Sequence, residues 1–151
     1  MIKPVNIFSA PNDAGRIDVG AAAGSADTAM YIYDIGPGEA SCPYHYEYVD
    51  EWLLVVEGTV TVRTPQGRLT LERGDIVRFP AGPDGAHKVM NTGGSPARTL
   101  LFSNARGPAV SVYPDSNKIG VWPGDEENSL LFVRDTSVPW SHGEEGWHTA
   151  Q

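Results

Sequence analysis

His45 and Glu47 stand two residues apart, the spacing that puts two side chains on the same side of an extended chain. Glu51 follows four residues later, immediately ahead of the apolar run Trp52 to Val56. One histidine and two carboxylates converging on a face are the beginning of a metal site, because imidazole nitrogen and carboxylate oxygen are the donors such ions take. A second stretch, Gly74 to Asn91, carries His87 and can supply a further donor.

Short strands must position these residues. Thr28 to Ile35 is β-branched and aromatic and reads as a strand ended by Gly36-Pro37-Gly38. Trp52 to Val56, Thr59 to Arg63, Arg68 to Glu72, Ile76 to Phe79, Ala86 to Asn91 and Ala97 to Ser103 follow as strands, separated by Gly/Pro turns and the loop Ala81 to Gly85. Val60 and Val62 share a face. Leu53, Val55, Phe79, Val89 and Leu101 join them as candidates for core or pocket wall. Tyr44, Tyr46, Tyr48 and Cys42 have the parity opposite to His45 and Glu47, which places them behind the strand. Many short strands without a long amphipathic helix mean an antiparallel sandwich or barrel. Val5 to Phe8 is an edge strand or an arm. Residues 10–27 read as a loop with room for a helical turn. Beyond Ser103, Ala109 to Tyr113 and Leu130 to Arg134 are strand candidates. Val138 to Gln151, with Trp140, Trp147, His142 and His148, is too aromatic for a plain disordered tail and is expected to dock on the barrel or on a partner.

At 151 residues the chain fits one domain with a proper core. Its net charge of −8 leaves no basic stripe for phosphates, which argues against nucleic acid. No apolar run is long enough to span a membrane, and the N-terminus lacks the pattern of a signal peptide. With Cys42 as the single cysteine, no intrachain disulfide can form, and the expected location is cytoplasmic.

Two motifs in these stretches resemble those of the cupin superfamily. Gly38, His45, Glu47, Glu51 and Gly58 fall at the places of its first motif, with Glu47 standing where the second histidine is usual. Gly74, Pro80, Gly82, His87 and Asn91 fit the second, with Pro83-Asp84-Gly85 lengthening the gap before His87. The resemblance implies an all-β, antiparallel jelly-roll barrel, here with an aromatic C-terminal extension. One domain would span residues 1–151, with an N-terminal arm 1–27, a barrel core of about 28–103 and an extension 104–151. The tail with Tyr113-Pro114-Asp115 is also similar to small single-domain bacterial cupins without an assigned role.

The ligand set would then be His45, Glu47, Glu51 and His87 around one divalent ion, Fe, Mn, Zn or Ni, among which the Irving–Williams order does not choose. Glu47 could ligate, act as a general base beside a three-ligand metal, or point to solvent. Glu51 could instead pair with Arg63 or Arg78. Asn91 is placed to hydrogen-bond a loop, and His142 and His148 read as tail surface. The resemblance implies an enzyme of a family with dioxygenases, decarboxylases, isomerases and cyclases, acting on a small organic substrate and paired as a homodimer. A non-catalytic ligand-binding barrel, with or without metal, and a structural dimer are the rival classes.

Overall fold

The computed structural model describes residues 2–10, 12, 14–104, 107–125 and 127–144. In chain order the elements are β1 (Arg16–Asp18), α1 (Val19–Ala23), β2 (Ala29–Ile35), β3 (Tyr46–Glu47), β4 (Glu51–Glu57), β5 (Thr59–Thr64), β6 (Gly67–Glu72), β7 (Ile76–Phe79), β8 (Lys88–Met90), β9 (Ala97–Ser103), β10 (Ala109–Tyr113), β11 (Lys118–Trp122) and β12 (Leu130–Val133). All pairings are antiparallel. One sheet has the order β1-β2-β9-β4-β7; a second has β6-β5-β8; a third has β12-β11-β10-β3. A bridge between His45 and His87 and another between Ala40 and Met90 join the second and third sheets, so that together they face the first. This is an antiparallel barrel, one of the two architectures expected from the strand pattern, and it is the all-β jelly roll that the resemblance implied. Among the described residues no helix is long and apolar enough to cross a membrane.

Strand alternation sorts the residues into layers. On β4, Glu51, Leu53 and Val55 face inward. On β9 the inward row is Ala97, Thr99, Leu101 and Ser103. Leu53, Val55, Phe79, Ala97, Leu101 and Ile35 from the five-stranded sheet pack against Val60, Val62, Leu71 and Val89 from the opposing one. This apolar plug fills one end of the barrel and leaves the other end to polar side chains. Val5 and Ile7 form no strand: they lie over the outer face of the five-stranded sheet, against Ile17, Val19 and Ile32. The helical turn allowed for in residues 10–27 is α1, capped by the Asp18 carboxylate, and β1 precedes it unforeseen. In the C-terminal segment β11 is also new. The four apolar residues of β12 are each about half exposed, and Val138 and Trp140 are exposed as well. Trp147 and His148 lie outside the described residues.

Asn91 holds the far end of the barrel. Its Nδ2 donates to the carbonyls of Ile35 and Ser95, both at 2.8 Å, and its Oδ1 accepts from Gly93 N at 3.0 Å. The side chain is buried, so removing it leaves the Ile35 carbonyl unpaired in the interior and releases the turn that ends at Ser95. Asn91→Ala is expected to lower unfolding stability by about 2–4 kcal/mol. Denaturant titration checks this through a lower midpoint at unchanged slope.

Candidate metal centre

His45 and His87 sit at the seam where the two smaller sheets meet. They exchange backbone hydrogen bonds, His45 N to His87 O at 3.1 Å and His87 N to His45 O at 2.8 Å. Directly paired residues of an antiparallel ladder project to the same face. The two rings therefore lie side by side, centroids 4.8 Å apart. Glu51 reaches them from the opposite sheet. It occupies the inward register of Leu53 and Val55, where an apolar side chain would otherwise extend the core. His87 is 0% exposed, Glu51 5% and His45 8%.

Both rings are locked in the orientation a metal requires. His45 Nδ1 lies 3.0 Å from the Pro43 carbonyl and His87 Nδ1 lies 2.9 Å from that of Gly85. A carbonyl accepts only, so Nδ1 carries the proton and the Nε2 lone pair points away, toward Glu51. Phe79 stacks on His87 at 3.6 Å and Tyr113 on His45 at 5.9 Å. The extra residues Pro83-Asp84-Gly85 do not displace His87. They form a short 3₁₀ turn, and the Gly85 carbonyl at its end is the group that orients the ring. Only glycine fits there, because a Cβ would sit 1.8 Å from the Pro80 carbonyl oxygen.

The two Nε2 atoms each lie 3.8 Å from Glu51 Oε2, and His87 Nε2 is buried with no hydrogen-bond partner. That separation is too long for a hydrogen bond but within the roughly 3.0–4.2 Å expected of two atoms each about 2.1 Å from a shared ion. Two lone pairs facing a carboxylate in a water-poor pocket make a donor set that a divalent cation satisfies and neutral protein atoms do not. His45, Glu51 and His87 could hold such an ion, their donor atoms all lying within 4.8 Å of one another. Glu51 is thus not paired with an arginine: Arg63 binds Asp115 and Arg78 binds Asp50.

Glu47 lies beside this trio. It shares His45's side of the strand, lines the same cavity, and accepts a hydrogen bond on Oε1 from Ser111 Oγ at 2.8 Å. Ser111 in turn accepts from Trp122 Nε1 at 3.0 Å. Gly120 pairs with Ser111 across the ladder, and Trp122 folds over it: a Cβ on Gly120 would lie 2.7 Å from the indole. Ser111, Tyr113 and Trp122 belong to strands outside the two sequence motifs and were not anticipated as site residues. The signal was a serine within the apolar run of β10. Cys42 also departs from expectation. Its Sγ lies 3.6 Å from His45 Nδ1 and its side chain lines the cavity instead of packing behind the strand with Tyr44 and Tyr46. Pro43, with fixed φ and no N–H, breaks the alternation between them. Burial pushes the Cys42 thiol up to about 11, so it stays protonated.

The cavity has an inner part of about 110 Å³, reaching Glu51, Leu101 and Ser103, and an outer part of about 350 Å³. Tyr31, Tyr33, Cys42, His45 and Glu47 line both, and Arg16, Ser111, Tyr113 and Trp122 line the outer part. Burial pushes the Tyr33 phenol up to about 12, leaving it a hydrogen-bond donor at neutral pH.

Without a cation, burial and then the nearby Glu47 charge push the Glu51 carboxyl up to about 8. Burial and then the His45 charge push His87 down to about 4, and burial also lowers His45. Between about pH 7 and 8 the imidazoles, both lowered from 6.5, are mainly neutral while much of Glu51 is still protonated, so taking up a divalent ion releases up to one proton. Metal affinity is expected to rise by up to about tenfold per pH unit over that range and to level off above it. Calorimetry in buffers of different ionisation enthalpy would read the proton directly; none released at about pH 7 would contradict this account.

Residues 31–103 match the Cupin domain family. Together with the barrel, this shows that residues 31–103 form a cupin domain. The chain is similar to a sugar phosphate isomerase of the cupin superfamily from Silicibacter pomeroyi, at 26% identity over 85% of this chain and 82% of that one, with a TM-score of 0.73. The Tetracenomycin polyketide synthase protein TcmJ of Streptomyces glaucescens is 28% identical over 68 residues, 45% of this chain and 44% of that protein. The match thus spans less than half the length of that curated relative. The polyketide cyclase RemF of Streptomyces resistomycificus shares the fold, at 16% identity over 68% of this chain and 79% of that one, with a TM-score of 0.56.

Proposed function

We propose that this protein is a metal-dependent cupin enzyme that moves a proton beside the carbonyl of a small hydroxycarbonyl compound, with His45, Glu51 and His87 as ligands and Glu47 as the base. The observation that carries this reading is a half-buried carboxylate, Glu47, that lines the cavity next to the trio of His45, Glu51 and His87. Burial raises its pKa, which makes it a better proton acceptor than a solvent-exposed glutamate. A divalent ion bound by the trio supplies Lewis-acid stabilisation of the negative charge that develops on a substrate oxygen.

The chain's own residues do the rest. The Glu47 carboxylate takes the proton from the carbon beside the carbonyl, and the electron pair of that C–H bond passes into an enolate. The proton of the adjacent hydroxyl passes to the former carbonyl oxygen, and return of the Glu47 proton to the former carbonyl carbon then forms the new carbonyl next to it, yields the isomer and restores the carboxylate. Ser111, itself held by Trp122, fixes Oε1 and so the direction of the lone pairs. Tyr33 offers a phenolic O–H to a substrate oxygen. Likeness to the Silicibacter sugar phosphate isomerase supports the choice, since aldose–ketose interconversion begins with removal of such a proton. Treating the chain as one domain is part of the same reading, because β10 and β11 supply Ser111 and Trp122 to a site built on the barrel.

The test is solvent exchange. Hydroxyaldehydes, hydroxyketones and their phosphates are incubated with the protein in D₂O and followed by NMR. Metal-dependent deuterium uptake at the carbon beside the carbonyl is expected. Tight ligand binding with no exchange in any of them would mark a non-catalytic binding barrel instead.

A further inference from the structure

We infer that Arg16 selects an anionic substrate, gripping its carboxylate or phosphate at the cavity mouth while the reacting end faces His45, Glu51 and His87; this rests on the catalytic reading of the cavity. Arg16 is exposed on β1, outside the residues that carry the cupin motifs, in register with Tyr33 of β2. It lines the outer cavity, and so do His45 and Glu47. Its guanidinium carbon lies 5.0 Å from the centre of the Tyr31 ring. A cation attracted to a ring at this distance still has its N–H groups to offer an oxyanion, which a guanidinium can bind through two parallel bonds.

Charge makes the position selective. Arg63, Arg78 and Arg98 are each held by a carboxylate, from Asp115, Asp50 and Asp34 respectively. Arg16 forms no ion pair among the described residues and is the one cationic side chain lining the outer cavity. In a chain of net charge −8 the distant field repels anions, so a local cation must overcome it. Ser111 and the tyrosines 31, 33 and 113 surround the same space with hydroxyl groups suited to an oxygen-rich molecule.

The test is binding, not turnover. Inorganic phosphate and acetate, with glycerol as the neutral control, are titrated into the protein as purified. The amide signals of Ile17, Tyr33 and Ser111 are followed by NMR. One anion or both is expected to move these signals, and the preference between them tells a phosphate substrate from a carboxylate one. Arg16→Gln is expected to weaken that binding about 10- to 100-fold, as loss of a charge-assisted bidentate contact does. Arg16→Lys should recover part of it, and metal affinity should stay the same in both variants. If neither anion moves these signals, or if Arg16→Gln binds as well as wild type, the inference fails. Deuterium exchange by the wild type decides the catalytic reading separately, so the two failures are distinguishable.

Discussion

Glu51→Gln is expected to make the metal-free protein more stable at pH 9, by about 2–4 kcal/mol, while removing most of its response to metal. The sign follows from the direction of the shift. A carboxyl whose pKa rises from 4.5 to about 8 on folding costs nothing below about pH 4.5, removes stability progressively between 4.5 and 8 because only the unfolded chain has ionised there, and exacts its full penalty above 8. Full linkage would be worth about 4–5 kcal/mol, which relaxation and water entry reduce. The amide is isosteric and uncharged, so it brings no buried charge at any pH. At pH 5 the two proteins should differ by less than about 1 kcal/mol. Thermal melts of metal-free protein across this range test it, with a difference of about 10 °C expected at pH 9. Addition of a divalent ion should then raise the melting temperature of the wild type and leave the variant almost unmoved. A variant less stable than wild type at pH 9 would show that Glu51 carries its charge without penalty, so that the cavity is wetter than its burial implies.

Glu47→Gln has the opposite profile: metal retained, chemistry lost. The glutamine keeps an oxygen to accept from Ser111, so the local packing is preserved. It cannot accept the proton. Loss of a positioned general base is expected to lower the rate of deuterium exchange by about 10²–10⁴-fold, with substrate affinity little changed. Unchanged exchange in Glu47→Gln would remove Glu47 from the mechanism. Exchange lost together with metal would instead make it a fourth ligand.

Local periodicity made half of this site readable and topology supplied the other half. His45 and Glu47 on one side of a strand, Glu51 in the row of Leu53 and Val55, and His87 in the row of Val89 and Asn91 all follow from a period of two residues. The separation of Glu47 from the other three does not, because it depends on which donors point across the barrel. Pro43 hid the orientation of Cys42 by breaking the same alternation that located its neighbours. β11 was hidden by its own Gly120 and by Asn117, which takes the left-handed conformation just before it, features that read as loop. Yet Gly120 is what lets Trp122 reach Ser111. Arg16 lies in a three-residue strand too short to carry a pattern, and only its pairing with β2 brings it to the cavity.

The most direct test of the metal centre is elemental analysis of wild type, His87→Ala and Glu47→Gln after reconstitution in turn with Fe(II), Mn(II), Zn(II) and Ni(II) and removal of excess ion. About one equivalent of at least one ion is expected in the wild type and in Glu47→Gln, and a loss of at least about 10²-fold in affinity in His87→Ala. A wild type that retains none of the four, or a His87→Ala that retains as much as the wild type, would contradict a metal centre at these residues.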